Sequence, residues 1–219
     1  MKVQIYEHVH SDDVRRSIQA GVDFIGVKPG VDGLSEGEVD FDLCRELYEV
    51  AARHPDVFCN ALTTATETDV IVGVVQRARP DVLHLSGNIH KTPPAQVAEI
   101  RRTISPVKVM AAIPVTDESS VELALSYQGV VDYFLLDTPA PDGDIGATGH
   151  MHDLTVSADI VRRSQIPVIL AGGLEAGNVR EAIRRVEPWG VDSFTHTNEP
   201  GSRRKNPGLV KAFAAAARG

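Results

Sequence analysis

The chain has 219 residues, of which 42% are hydrophobic, enough to bury a sizeable core in one domain. Its formal net charge of −8 argues against a nucleic-acid-binding surface, and no apolar run approaches the ~18 residues of a membrane span. Two cysteines, Cys44 and Cys59, provide neither a disulfide framework nor a zinc-binding spacing, and no signal-peptide pattern is present, so a reducing cytoplasm is the expected location.

Strand and helix patterns alternate along the whole chain. Short apolar runs with β-branched residues predict strands, and apolar positions three or four residues apart predict helices. The predicted strands cover residues 3–8, 24–27, 57–62, 82–85, 107–115, 133–136, 167–170 and 190–195. The first predicted helix begins at Ser11, and the next three contain Leu43, Val70 and Val97 respectively. The last four are predicted over residues 118–127, 158–163, 178–186 and 208–218.

Eight strand–helix units without a linker or low-complexity tract predict a single (β/α)8 barrel over residues 1–219. The alternative is an open, doubly wound sheet. That fold does not need eight strands, and the chain lacks the G-x-G-x-x-G sequence after the first strand that would support it. In a barrel, the functional residues stand at the carboxyl ends of the strands.

Three features stand at these predicted strand ends. Asp137 follows an apolar strand, Gly172 and Gly173 end the seventh strand, and a polar, basic segment follows the eighth. A carboxylate at the rim of an apolar pore is suited to proton transfer. We expect the glycine pair to turn directly into a helix, where backbone N–H groups can approach a phosphate. The alternative is that the glycines only make a tight turn.

Several motifs carry a family resemblance: LLDT at 135–138, GATG at 146–149, PVILAGGL at 167–174, GVD at 190–192 and EPG at 199–201. In order and spacing they resemble phosphoribosylanthranilate isomerase of tryptophan biosynthesis. A weaker resemblance extends over the first βαβ unit, so that it covers nearly the whole chain.

The resemblance implies an Amadori rearrangement, in which an acid protonates a sugar ring oxygen and a base removes the proton at C2. It places Asp137 at the general-acid position and Gly172 and Gly173 at the phosphate-binding turn. The same resemblance completes the phosphate site with Thr148, Gly149, Thr195, His196 and Thr197. A small phosphorylated substrate and no cofactor are therefore expected.

The chain departs from the family at the base and at the aromatic-acid half of the site. The family's basic cysteine is replaced by Tyr6, and residues 30–40 contain no arginine or lysine where the family carries an arginine. The family's Val-Gln-Leu-His-Gly reads Leu-His-Leu-Ser-Gly at 83–87, and its Ser-Ser-Gly is replaced at 195–198. These departures predict a divergent paralogue whose substrate is phosphorylated but is not phosphoribosylanthranilate.

Further candidate residues have two interpretations each. Glu7 is either a replacement base or a solvated loop residue. His84 alternates with Leu83 and Leu85, so it points into the pore if these leucines pack outward. There it is either a core histidine or a catalytic one. Lys28 is an anion partner or, if desolvated, a Schiff-base lysine, and the basic triplet beginning at Arg203 is a phosphate clamp or a solvated charge run.

Two other classes of function remain open. One is a metal-dependent epimerase or hydrolase that uses a histidine-rich set, namely His8, His10, His84, His196 and Asp137. The other is a non-catalytic barrel that binds a phosphorylated metabolite. The sequence leaves the oligomeric state open, a homodimer included.

Overall fold

The computed structural model describes residues 1–30, 37–139 and 153–219. Its strands are β1 (Lys2–Ile5), β2 (Phe24–Pro29), β3 (Glu38–Val39), β4 (Phe58–Thr63), β5 (Val82–Leu85), β6 (Lys108–Pro114), β7 (Tyr133–Asp137), β8 (Val168–Leu170) and β9 (Gly190–Ser193). The helices are α1 (Ser11–Gln19), α2 (Phe41–Ala51), α3 (Thr68–Ala78), α4 (Pro94–Ile104), α5 (Ser119–Tyr127), α6 (Leu154–Arg163), α7 (Val179–Val186) and α8 (Pro207–Arg218). Among the described helices, none has the length and apolar character needed to cross a bilayer.

Eight parallel strands close into a ring in which β1 pairs with both β2 and β9. The remaining members follow in chain order from β4 to β9, and each ring strand is followed by a helix. The predicted (β/α)8 barrel is therefore confirmed. The two-residue strand β3 pairs with β2 outside the ring and was not predicted. The third to eighth predicted strands therefore correspond to β4 to β9.

Side chains alternate between the inside and the outside of the ring. Val3, Ile5 and Leu83 belong to the large apolar cluster that joins the strands to the helices. A smaller apolar cluster includes Phe24 and Val82, the first residues of β2 and β5, and therefore fills the interior toward the amino ends of the strands. This division follows from the period of two along a strand.

The rest of the described interior is polar. Five buried side chains from different strands or strand ends contribute to it: Gln4, Tyr6, Asn60, His84 and Asp192. The Asn60 amide donates to Gln4 Oε1 at 2.7 Å, and the Tyr6 hydroxyl lies 3.0 Å from His84 Nδ1. Hydrogen bonding of this kind compensates polar groups for the loss of water.

The Tyr6 ring packs against the backbone of β2 at Gly26. A Cβ at this glycine would lie only 2.2 Å from Tyr6 Cδ1 and 2.4 Å from Cγ. These atoms are at the root of the ring, so the clash has no flexible chain end to relieve it. The glycine therefore makes room for the tyrosine.

Two predicted strands end earlier than expected. β1 ends at Ile5 rather than residue 8, and beyond it the His8 N–H donates to Gly26 O at 2.8 Å while the His8 ring contacts Ser17 of α1. β9 ends at Ser193 rather than residue 195, and Thr195–Thr197 forms a 3-10 turn closed by a bond from the Thr197 N–H to Phe194 O.

Two helix starts also differ from the prediction. α6 begins at Leu154 rather than near residue 158, because Asp153 caps it by accepting the Thr155 N–H at 2.8 Å. The glycine pair does not turn directly into a helix, since α7 begins only at Val179. Asn178 organises the intervening loop by donating to Gly173 O and accepting from the Glu175 N–H.

The fit between Gly26 and Tyr6 yields a stability prediction. Replacing Gly26 by Ala should lower the free energy of unfolding by about 1–3 kcal/mol, because the added methyl group overpacks the interior. Gly73 of α3 is the matched control, since its Cβ would meet nothing within 4 Å. Gly73→Ala should raise stability by up to about 1 kcal/mol through helix propensity. Urea unfolding of both variants measures this, and equal stabilities would contradict the proposed fit.

Candidate active site

Asp137 occupies the rim of the barrel, where the carboxyl ends of the parallel strands meet. It is the last residue of β7, is partly exposed, and accepts the Thr138 N–H on Oδ1 at 2.7 Å. Burial raises the pKa of Asp137 to about 7, and the Thr138 hydrogen bond only partly offsets this rise. The carboxyl group is thus able to release and regain a proton near neutral pH.

Tyr6 stands at the end of β1 as a neutral hydrogen-bonding group. Burial raises its pKa well above 10, and the charge of Asp192 adds to this effect. Burial also lowers the pKa of His84 to about 3, so the imidazole is uncharged at neutral pH. Leu83 packs outward and His84 faces the interior, where its Nδ1 is hydrogen-bonded to the Tyr6 hydroxyl. His84 therefore supports Tyr6 and is not brought to Asp137 by any described contact.

Glu7 lies next to Tyr6 in a group of charges at the mouth. Its Oε2 is 3.3 Å from Arg203 Nη1, and its side chain is only 12% exposed. Burial raises the pKa of Glu7, while Arg203 and then Lys28 oppose the rise. Lys28 is itself paired with Glu38 Oε1 at 3.3 Å. Both predicted anion partners, Lys28 and Arg203, thus contact carboxylates of the protein.

The predicted phosphate turn and the segment after β9 come together. Gly172 and Gly173 have φ angles of 88° and 62°, a left-handed region that favours glycine. Ser193 Oγ at the end of β9 donates to Leu174 O at 2.7 Å, which joins the two segments.

The three predicted residues after β9 are placed differently from one another. Thr195 is exposed, and His196 Nδ1 lies 3.9 Å from Glu175 Oε2. Thr197 is buried, and its hydroxyl donates to Phe194 O at 2.8 Å, which directs it to the backbone of its own turn. Thr148 and Gly149, also predicted for phosphate binding, lie outside the described residues.

The basic triplet divides into three separate roles. Arg203 reaches Glu7, Arg204 forms a two-point ion pair with the buried Asp13 at 2.6 and 3.0 Å, and Lys205 is buried. The Lys205 ammonium donates to Tyr6 O and Asn198 Oδ1 and lies 4.9 Å from the Phe194 ring centre. Burial lowers its pKa to about 7. The triplet is therefore not a solvated charge run.

Sequence reasoning missed the interior polar residues, Gln4, Asn60 and Asp192. The available signal was their position: each stands between apolar or outward-facing neighbours on a strand, as His84 does. Because a ring of strands has an interior, the same alternation that identified His84 also marks Asp192 as inward-facing.

The histidine-rich metal set is not assembled. His8 is buried, with Nδ1 3.2 Å from Gly26 O and Nε2 2.8 Å from Ser17 Oγ, so both ring nitrogens have protein partners. His10 caps α1 by accepting the Asp12 N–H, and His84 contacts Tyr6. Within residues 1–30, 37–139 and 153–219, no group of three potential ligands is placed to hold a metal ion.

Residues 47–213 match the family model described as N-(5'phosphoribosyl)anthranilate (PRA) isomerase. The chain belongs to this isomerase family. An isomerase of this name from Haloferax volcanii is 35% identical over 91% of the chain and 85% of the relative. One from Natronomonas pharaonis is 30% identical over 100% of the chain and 98% of the relative. The resemblance drawn from the sequence motifs is confirmed.

Solved structures of the family share the whole fold. The isomerase from Thermotoga maritima superposes with a TM-score of 0.81 at 25% identity, covering 100% of this chain and 98% of that one. The isomerase from Pyrococcus furiosus gives a TM-score of 0.79 at 25% identity with the same coverage. A further Thermotoga maritima structure, 23% identical over 100% of this chain and 98% of that one, has a TM-score of 0.78 and is described as monomers of a dimeric isomerase.

The buried neutral His84 predicts a pH dependence of stability. Its pKa is about 6.5 when unfolded and about 3 when folded, so the unfolded chain binds more protons between these values. Stability from this group is full above about pH 6.5 and is lost as the pH falls toward 3. His84→Gln keeps an acceptor for Tyr6 but does not titrate. Near pH 4.5 it should lose about 2–3 kcal/mol less stability, relative to pH 7, than the wild type.

Urea unfolding at the two pH values measures this difference. All other titrating groups are common to both proteins, His8 included, so their contributions cancel in the comparison. Equal losses in the two proteins would show that His84 becomes protonated in the folded state at its ordinary pKa.

Proposed function

We propose that the protein is an isomerase that moves a proton on a small phosphorylated, sugar-phosphate-like substrate by acid–base catalysis. The observation that carries this proposal is Asp137, a partly exposed carboxyl group at the rim of the barrel with a pKa of about 7. At neutral pH such a group is present in both protonation states, which suits general acid–base catalysis. Membership of an isomerase family supports the same reaction class.

Glu7 is the candidate for the base that replaces the family's cysteine. Tyr6 holds its proton too tightly for this role, because burial raises the pKa of the phenol. His84 binds a proton too weakly, because burial lowers the pKa of the imidazole. The Glu7 carboxyl group lies at the same strand end, and burial raises its pKa. Arg203 fixes its orientation through the ion pair.

The phosphate is proposed to bind at Gly172 and Gly173 and at the segment Thr195–Thr197. The left-handed φ angles of both glycines and the Ser193–Leu174 contact support a single preformed turn. In barrels, this region after the last two strands commonly holds phosphate beside a short helix. Thr148 and Gly149 belong to the same proposed site, and no cofactor is required. The proposal extends to a cytoplasmic location and a homodimer.

We further propose that phosphoribosylanthranilate is not the substrate. The Tyr6 ring occupies the β1–β2 side of the pore against Gly26, and residues 30–40 lack the family's arginine. The competing function is phosphoribosylanthranilate isomerisation itself, which is the activity in the names of the archaeal relatives.

The function is tested by turnover of a panel of aldose and ketose phosphates beside phosphoribosylanthranilate. We expect at least one sugar phosphate to be isomerised, and phosphoribosylanthranilate to react at least ~10²-fold more slowly, the scale of a lost general base. Asp137→Asn should reduce the sugar-phosphate activity by ~10²-fold or more, with folding checked by circular dichroism.

The outcomes separate the two parts of the proposal. Rapid turnover of phosphoribosylanthranilate would overturn the substrate assignment and would leave the acid–base role of Asp137 to be judged by the Asn variant. Full activity in a folded Asp137→Asn protein would overturn that role.

The phosphate site yields a separate prediction. Gly173→Ala should weaken binding of inorganic phosphate about tenfold or more, because a methyl group enters the anion's space and charge-assisted hydrogen bonds are lost. Gly21→Ala is the control, since Gly21 has a similar left-handed φ of 88° but follows α1 at the opposite end of the barrel. Calorimetric titration measures both, and equal affinities in the two variants would place the phosphate elsewhere.

A further inference from the structure

Asp192 is a buried carboxyl group without a complete set of partners. It lies on β9 and faces the barrel interior, and its residue is 7% exposed. Its Oδ1 atom has no hydrogen-bond partner among the described residues. A buried carboxyl oxygen in this state is uncommon in native proteins, and three other interior atoms in the described part of the chain share it: Gln4 Nε2, Asn60 Oδ1 and His84 Nε2.

The strand register places Asp192 close to Asp137. Leu136 pairs with Leu170, and Leu170 pairs with Val191. One residue further along each strand, Asp137, Ala171 and Asp192 therefore share a row on the inner surface. Ala171, which carries only a methyl group, is the residue between them in that row.

Neither carboxyl group is neutralised by a cation. In the described part of the chain, no ion pair within 4 Å involves Asp137 or Asp192. Burial raises the pKa of Asp192 to about 8, and the charge of Asp137 is the next cause. Two carboxylates without a cation partner resist being charged together, because the charge of one raises the pKa of the other.

The other ionisable groups facing Asp192 do not remove this constraint. Lys205, from the segment after β9, favours the charged carboxylate, but its ammonium group donates to Tyr6 O and Asn198 Oδ1. Tyr6 at the end of β1 is an uncharged phenol, and His84 on β5 is an uncharged imidazole. The Gln4 amide on β1 faces the Asp192 carboxyl group without reaching good hydrogen-bond geometry, so it lowers the pKa less than burial raises it.

We propose that Asp137 and Asp192 ionise as one coupled carboxyl pair, with Asp192 keeping its proton while Asp137 exchanges its own. Asp192 is then a positioning residue, which determines the pH at which Asp137 releases its proton. The inference rests on the assignment of Asp137 as the acid of the proposed function. Protonated Asp192 leaves Asp137 with a neutral neighbour at each proton transfer, whereas ionised Asp192 would hold the Asp137 proton in place.

The test is a carboxyl-carbon NMR titration of protein labelled with ¹³C-aspartate, from about pH 4 to about pH 10. Loss of a resonance in Asp137→Asn and in Asp192→Asn assigns the two signals. In the wild type, each signal should titrate above about pH 6 and show two inflections. In each variant, the remaining carboxyl group should titrate in a single step, and Asp192 should do so about 1 pH unit lower without its charged neighbour.

Asp132→Asn is the matched control. Asp132 precedes β7 at the opposite end of the barrel and pairs with Arg101 at 2.8 Å and Lys108 at 3.4 Å. Its replacement should leave both curves unchanged.

Two single-step curves in the wild type, or an Asp192 curve unchanged by Asp137→Asn, would overturn the coupling. The wild-type titration decides this even if a variant fails to fold. Because the readout needs no substrate, a failed coupling is distinguishable from a failed function: the former appears in the titration, the latter in the turnover panel.

Discussion

Closing eight parallel strands into a ring produces a narrow interior from which water is largely excluded. Inward-pointing side chains are stabilised there by packing or by hydrogen bonds, and a few polar atoms such as Asp192 Oδ1 have no hydrogen-bond partner among the described residues. Toward the amino ends of the strands, an apolar cluster containing Phe24 and Met110 is stabilised by packing alone. Toward the rim, polar residues replace it, and their properties are determined mainly by the loss of water.

This single constraint acts in opposite directions on acids and bases. It raises the pKa of Asp137 and Asp192 to about 7 and 8, and it lowers that of Lys205 to about 7 and of His84 to about 3. Several groups that would be fully charged in water are therefore close to half-ionised at neutral pH. A site built of such groups is suited to moving protons. Because each of these carboxyl groups is uncharged part of the time, it does not require a cation beside it.

The family relationship and the local site supply different kinds of information. The barrel is the framework shared with the isomerase family. At the end of β1, Tyr6 packs on Gly26, contacts His84, and accepts the buried Lys205 ammonium on its carbonyl oxygen. These contacts connect β1, β2, β5 and the segment after β9, so the tyrosine is integrated into the interior.

The sequence by itself determined the number and order of the strand–helix units, because apolar periodicity and turn residues are local properties. It also placed Asp137 and the glycine pair at strand ends, since a carboxylate or two glycines directly after a buried strand can be read from neighbouring residues. Strand ends were harder to predict: β1 stops at Ile5, and His8 beyond it contacts Gly26, a partner 18 residues away.

Only the tertiary structure decided which distant residues meet. The ion pair between Glu7 and Arg203 joins residues 196 positions apart, and that between Asp13 and Arg204 joins residues 191 apart. The row that places Asp192 near Asp137 likewise depends on the register of three strands. The pKa values of Asp137 and Asp192 depend on burial and on the charges nearby, and both are created only when the ring closes.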